Sequence, residues 1–505
     1  MNESTAYEYV CAHARQTALV GAIDALLGWD ERVWLPPAAG AYRAEQIAFL
    51  AGLQHDRWTD AAFGDWLDQL TSSPLAADRH SDEGTTIRQL KRARDRRVKL
   101  PRRLVEELAR VCVVGQQVWS TARPANDFSA LAPVLERIVA LKREEAAALA
   151  IGATAYDALL DEYEPGASTA EITTVLTALR DELVPLVAEL AEAPRRPDVA
   201  VLRGEFPVDQ QAAFGAEVAR AIGFDFDSGR LDTTLHPFCT ELGPHDCRIT
   251  TRYDRHDFGD GLFSILHEAG HGLYAQGLRA EWFGLPPGSA VSLGIHESQS
   301  RLWENQVGRS RSFWEHFLPR ARQRFAALKD VDLDSLYFAI NHIAPSLIRT
   351  EADEATYNLH ILVRFELEQA LLADEVRVAE LPAAWREKYR RYLGIEPPDD
   401  RDGVLQDIHW SGGAIGYFPT YSLGNLYAAQ FVTAARRALG DLDSLYRQGE
   451  FRPLLEWLRS NIHKQGECYS AAEFCQRITG EPLSHRYLID YLRAKLGPLY
   501  GLPGY

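Results

Sequence analysis

The chain has 505 residues, 46% of them hydrophobic, enough to bury a large core. Its 71 acidic residues outnumber 54 basic ones and leave a net charge of -17, which excludes gripping nucleic acid or an anionic membrane as its main task. Six scattered cysteines, with no CxxC pair, read as reduced thiols and point to a cytoplasmic address.

The N-terminal "MNESTAYEYVCAHARQ" carries acids where a secretory leader needs a basic segment, and no later stretch has the uninterrupted apolar length of a membrane span. Apolar residues at three and four spacing in "YEYVCAHARQTALVGAIDALL", "RAEQIAFLAGLQHDRW", "FSALAPVLERIVALKREEAAALA" and "AEITTVLTALRDELVPLVAELAEA" predict long amphipathic helices over the first two hundred residues. Between the second and third of these, Ile87 to Arg103 holds nine basic side chains. They recur around the helix with few aromatics, the pattern of a solvated helix paired with neighbouring acids and not of a nucleic-acid stripe.

Prolines and a short β-prone run follow in "EAPRRPDVAVLRGEFPVD", and "RLDTTLHPFCTELGPHDCRITTRYD" reads as a hairpin turning near Gly243 and Pro244. After Leu262 the helical pattern returns, broken by "GLPPGS", "GIEPPDD" and "HWSGGAIGYFPTYSLGN". No repeat or low-complexity linker is visible. The expectation is one mainly α unit over 1–505, with a small β-sheet or hairpin near the active site. Its approximate lobes are a helical cleft wall at 1–200 and a metal- and substrate-binding part at 201–505.

The segment "SILHEAGHGLYAQG" places His267 and His271 one turn apart on one helix face, where both imidazoles reach a single ion and Glu268 stands beside them. A catalytic zinc site needs a third protein ligand and an open position. Glu297 in "GIHESQSRLWEN" follows after one reversal of the chain at "LPPGS", and two histidines with a carboxylate form a recurrent hydrolytic set. His296 is the alternative ligand, and with Gln299 and Arg301 it makes a polar cluster suited to supporting the ligands from behind.

In its motifs the chain resembles the carboxypeptidase Taq family of metallocarboxypeptidases. The likeness begins at "LLGWDERVWLPPAAGAYRAEQIAFL" and continues through HPF at His236 to Phe238, DxRxT at Asp246 to Thr250 and HESQ at His296 to Gln299. IRxxAD at Ile348 to Asp353 and GxxQDxHW at Gly403 to Trp410 complete the set. The resemblance implies a mostly helical peptidase fold with a deep cleft, a homodimer, and one divalent ion, zinc with cobalt as the alternative. The implied activity is release of single residues, with broad specificity, from peptides carrying a free C-terminal carboxylate. His267, His271 and Glu297 fall on the family's metal ligands and Glu268 on its catalytic glutamate. Two departures are visible: Ala275 stands where the family commonly has an acid, and "WDERVWLPP" lacks the usual glutamine and methionine.

The expected mechanism is attack of an activated water on the scissile carbonyl with Glu268 as general base. The oxyanion needs further donors, for which His409 and Tyr421 are the candidates and Tyr417 the reserve. Arg349, in "IRTEADEATYNLH", is the candidate grip for the terminal carboxylate on a helical stretch beside Glu351, Asp353 and Glu354; Arg248 and His236 are secondary candidates on the substrate side. An oligoendopeptidase, a dipeptidyl carboxypeptidase and a catalytically silent helical binding protein are the alternatives. Substrates blocked at either terminus separate the first two.

Overall fold

The structure, a computed structural model, describes residues 3–503. The apolar spacing of the N-terminal segments becomes long helices at Glu3–Val33, Gly40–Trp58, Asp82–Lys99, Arg102–Ala125, Phe128–Leu149 and Thr169–Glu192. Ser81, Asp127 and Ser168 start three of them by accepting a first-turn backbone N–H, each such cap contributing about 1 kcal/mol. No helix among the described residues is long and apolar enough to cross a membrane.

The basic tract straddles two helices, and its side chains meet acids. Arg92 and Arg96 share the buried Asp161 at 2.7 and 2.9 Å, and Lys91 reaches Asp68 at 3.1 Å. Arg96 departs from the expected solvated face by being buried, because Asp161 and Glu162 neutralise it from below.

One apolar core holds Leu186 and Phe214 together with Trp303, Tyr389 and Leu492, so residues on both sides of position 200 share it. A smaller core of Val10, Phe63, Leu67, Ile87 and Leu285 lies under the N-terminal helices. The expected hairpin forms from β2 (Cys239–Gly243) and β3 (Asp246–Thr251), antiparallel around Gly243 and Pro244. The sequence reading missed a third strand. β1 (Gly229–Thr233) pairs parallel with β3, giving the order β1-β3-β2.

β3 leads into the helix Phe258–Ala275, whose N-cap Asp257 accepts from Gly259 and Asp260. This HExxH helix lies against the HESQ helix, Leu293–Arg301, which runs on as a π-helical turn, Leu302–Val307. The contact is at backbone range. A Cβ on Gly270 would stand 2.6 Å from the Gln299 carbonyl oxygen and the Ser300 Cα. On the other side the helix Pro419–Leu439 presses Gly424 onto Glu297, where a Cβ would meet the glutamate's own Cβ at 2.6 Å.

Gly270→Ala is therefore expected to cost about 1–3 kcal/mol by overpacking. Gly28→Ala, inside Glu3–Val33 with nothing within 4 Å of the added carbon, should hold or raise stability, as alanine does in open helical positions. Thermal midpoints of the two variants check this; a Gly270→Ala midpoint equal to the parent would refute the close approach.

Candidate active site

His267 and His271 stand as the helical spacing requires, with ring centroids 4.9 Å apart. Among the described residues they and Glu297 offer ligand atoms that all lie within 4.8 Å of one another. The Nε2 atoms of His267 and His271 are 3.6 and 3.4 Å from Glu297 Oε2. Bonds of about 2.0–2.2 Å to a tetrahedral ion give ligand-to-ligand edges of about 3.3–3.6 Å, so this donor set fits a divalent ion.

Each ligand is held from behind. Glu304 Oε2 lies 2.9 Å from His267 Nδ1 and leaves Nε2 facing the site. His296 sets its Nδ1 2.5 Å from His271 Nδ1 and stands outside the group of convergent donor atoms. Burial, with His271 adding to it, pushes the His296 pKa down to about 3, so the ring is neutral. Glu297 is 6% exposed and accepts from Arg301 Nε at 2.7 Å and Ser300 Oγ at 3.0 Å. Burial disfavours its charge, but Arg301 and the two histidines outweigh that and hold it well below the usual carboxylate range. Arg301 also reaches Glu304 at 3.2 Å, bridging the two carboxylates. At the start of the HESQ helix, Ser292 caps Ile295 N and the buried Glu164 accepts from Gly294 N at 3.0 Å.

Glu268 is 6% exposed, and among the described residues its side chain makes no hydrogen bond. Burial raises its pKa against the pull of His267 and His271. A carboxylate in this state has its acceptor capacity free and its basicity increased.

The second cluster centres on Asp407. Its Oδ1 accepts from Arg349 Nε at 2.9 Å and its Oδ2 from Arg364 Nε at 2.7 Å. The Arg349 side chain is thus paired across the fold and not with Glu351, Asp353 or Glu354. Nor is its segment one helix. Arg349–Glu351 is a single 3-10 turn, and the α-helix starts at Tyr357. The break sits at Asp353, which accepts the N–H groups of Ala355, Thr356 and Ala344, a local arrangement that competes with helix. Arg349 Nη1 is the arm free of Asp407 and donates to Tyr357 Oη at 3.1 Å.

His409 follows Asp407 closely and points Nε2 at Tyr421 Oη, 3.4 Å away. Its pKa is pushed down to about 4 by burial and by Arg349 and Arg364, against the opposing pull of Asp407. Tyr421 lies under Arg349, 5.1 Å from guanidinium to ring centre, and Tyr417 packs on Tyr421 at 5.3 Å. Arg248 and His236 are not drawn into either cluster. Arg248 donates from Nε and Nη2 to Asp246, each at 2.8 Å, with its guanidinium over Trp29, and His236 is exposed. Sequence reasoning overlooked Glu304, Arg364 and the role of Asp407. Glu304 left a signal, seven residues after Glu297 on the same helical run, and Asp407 stands inside the GxxQDxHW motif, while Arg364 left none.

The family model for the carboxypeptidase Taq (M32) metallopeptidases matches residues 10–496. The chain belongs to this family. It is 46% identical to thermostable carboxypeptidase 1 of Thermus thermophilus over 99% of this chain and 100% of that one. It is 36% identical to carboxypeptidase 1 of Bacillus subtilis, over 94% of this chain and 95% of the relative. The crystal structure of the M32 carboxypeptidase from Deinococcus radiodurans R1 superposes with a TM-score of 0.94 at 40% identity, covering 99% of this chain and 100% of that one. The chain is accordingly a metallocarboxypeptidase, a hydrolase that works with a divalent metal.

Glu297, Glu304 and Asp407 all have pKa values below those of an unfolded chain, Glu304 at about 2 because Arg301 and His267 overcome its burial. On acidification the unfolded chain takes up protons at these positions first. The stability they confer is complete above about pH 4.5 and is lost as pH falls toward about 2. The thermal midpoint of the metal-free protein should therefore drop steadily below pH 4.5; a midpoint unchanged between pH 5 and pH 3 would contradict the charge assignments.

Proposed function

We propose that the chain releases single residues, with broad specificity, from peptides bearing a free C-terminal carboxylate, acting as one catalytic unit through His267, His271, Glu297 and Glu268. The observation that carries this reading is a buried, unbonded Glu268 with a raised pKa beside three convergent ligand atoms. His267, His271 and Glu297 would hold a divalent ion, zinc with cobalt as the alternative, which would supply Lewis acidity at the site. Glu268 takes a proton from the attacking water and passes it to the leaving amine. His409, neutral at pH 7, and Tyr421 donate to the oxygen that gains charge, with Tyr417 behind them. Arg248 and His236 stay secondary candidates for the substrate side.

Arg349 grips the terminal carboxylate. Two guanidiniums share the single carboxylate of Asp407, which leaves one positive charge in excess, and the Nη1 arm is the part of Arg349 not held by Asp407. The family resemblance supports a homodimer, and the six free cysteines support a cytoplasmic address.

Glu268→Gln should keep the metal and lose about 10²–10⁴-fold in kcat, since an amide cannot accept the proton. Metal analysis beside steady-state kinetics checks this, and near-normal turnover would assign the base elsewhere. Arg349→Ala should lose about 2–5 kcal/mol in kcat/KM on free-acid peptides and change little on the same peptides amidated at the C-terminus. An equal loss on both substrates would make Arg349 a support of the fold, with the carboxylate read by another group.

A further inference from the structure

His409 is poorly anchored by its own bonds. Its Nε2 meets Tyr421 at 3.4 Å, and its buried Nδ1 has no hydrogen-bond partner. Its ring packs on Phe418 at 4.6 Å and on Tyr417 at 5.4 Å, and the chain on either side of it is held by the helix Tyr357–Leu372. Along that helix Tyr357, His360, Arg364 and Glu368 recur at three and four spacing and are all buried, a polar stripe inside the core. Arg364 takes Asp407, two residues before His409. Glu368, one turn on, takes the far side of the loop. Its Oε1 accepts from Trp410 Nε1 at 2.9 Å, and its Oε2 accepts from Gly416 N at 3.1 Å and Tyr156 Oη at 2.7 Å.

We propose that Glu368 is a positioning residue, clamping the loop from Trp410 to Gly416 so that His409 and Tyr421 keep their working geometry. The inference rests on the reading of those two side chains as donors to the oxyanion. Glu368 is 0% exposed, and burying a carboxylate in a core is costly unless its bonds are used. Burial pushes its pKa up to about 7 despite three donors, so an apolar or amide residue would be cheaper if packing were its only task. The donor count also demands a carboxylate. Trp410 and Gly416 offer only N–H groups, and whichever way a glutamine is turned its NH₂ meets one of them and breaks one contact with the loop. Gly416 has φ +93° and lies where a Cβ would stand 2.9 Å from the Leu159 backbone, so the loop cannot shift that way to relieve the clash.

The test uses metal-loaded Glu368→Gln, Tyr156→Phe, Tyr421→Phe and the Glu368→Gln/Tyr421→Phe double variant. Glu368→Gln should lower kcat about 10- to 100-fold, the cost of a misplacement near 1 Å, with KM and metal content within about twofold of the parent. Peptides covering 409–416 should exchange amide hydrogen faster. Tyr156→Phe disturbs the same buried carboxylate without touching the loop and should retain kcat within about threefold. In the Tyr421→Phe background Glu368→Gln should cost less than about threefold, since coupled residues are not additive. The same loss in both backgrounds, or unchanged exchange over 409–416, would overturn the proposal. If Tyr421→Phe alone keeps full activity, the oxyanion reading falls instead, and the exchange result still decides the clamp.

Discussion

The site depends on keeping Glu297 ionised inside the protein. A carboxylate with 6% of its surface exposed loses several kcal/mol of hydration, and only close charge and hydrogen-bond partners restore it. Arg301, one turn along the same helix, supplies the charge at 2.7 Å, and Ser300 supplies a hydroxyl. For Oε2, the oxygen that Ser300 bonds, to meet two imidazoles as well, the HExxH and HESQ helices must run at backbone contact, which explains the lack of a side chain at Gly270. Gly424 closes the third side. Three helices and their glycines are arranged around one ionised oxygen.

Charge is then divided between two places. On the metal side Glu297 and Glu304 are met by Arg301 and, at 3.6 Å, by Arg309. Each imidazole has a partner on its outer nitrogen, which turns the inner nitrogen toward the site. Around Asp407 the balance is deliberately incomplete, with two guanidiniums on one carboxylate. A surplus positive charge there fits the proposed grip of Arg349 on a terminal carboxylate.

Local periodicity revealed what lies within one element: the long helices, the hairpin turn, and His267 and His271 one turn apart. Glu297 lies on another helix, and it was reached through the HESQ motif and the demand for a third ligand. The partners of Arg349 were not legible, because Asp407 arrives from a loop more than fifty positions away and sequence neighbours such as Glu351 are no guide to which acid a folded chain brings near. Strand β1 escaped for a similar reason, its pairing with β3 being parallel and therefore separated by an intervening excursion of chain. The π-helical turn holding Glu304 has no signature in apolar spacing, and such turns concentrate at functional sites because they re-aim side chains.

One side chain links the two charged centres. The ring of Tyr357 lies under Arg301, 4.3 Å from guanidinium to centroid, while its hydroxyl accepts from Arg349 Nη1 at 3.1 Å. Arg301 in turn holds Glu297, and Arg349 holds Asp407. A stacked guanidinium contributes about 0.5–2 kcal/mol, modest as stability, yet its geometric effect is larger. An exopeptidase must keep the group that reads the chain end at a constant distance from the group that cuts, or the wrong bond is presented. A rigid aromatic spacer, with a planar cation on its face and a second at its hydroxyl, joins Arg301 and Arg349 without a flexible element between them. Tyr357 also begins the helix that carries Arg364 and Glu368, so the same rod that spaces the two centres aligns the loop bearing His409.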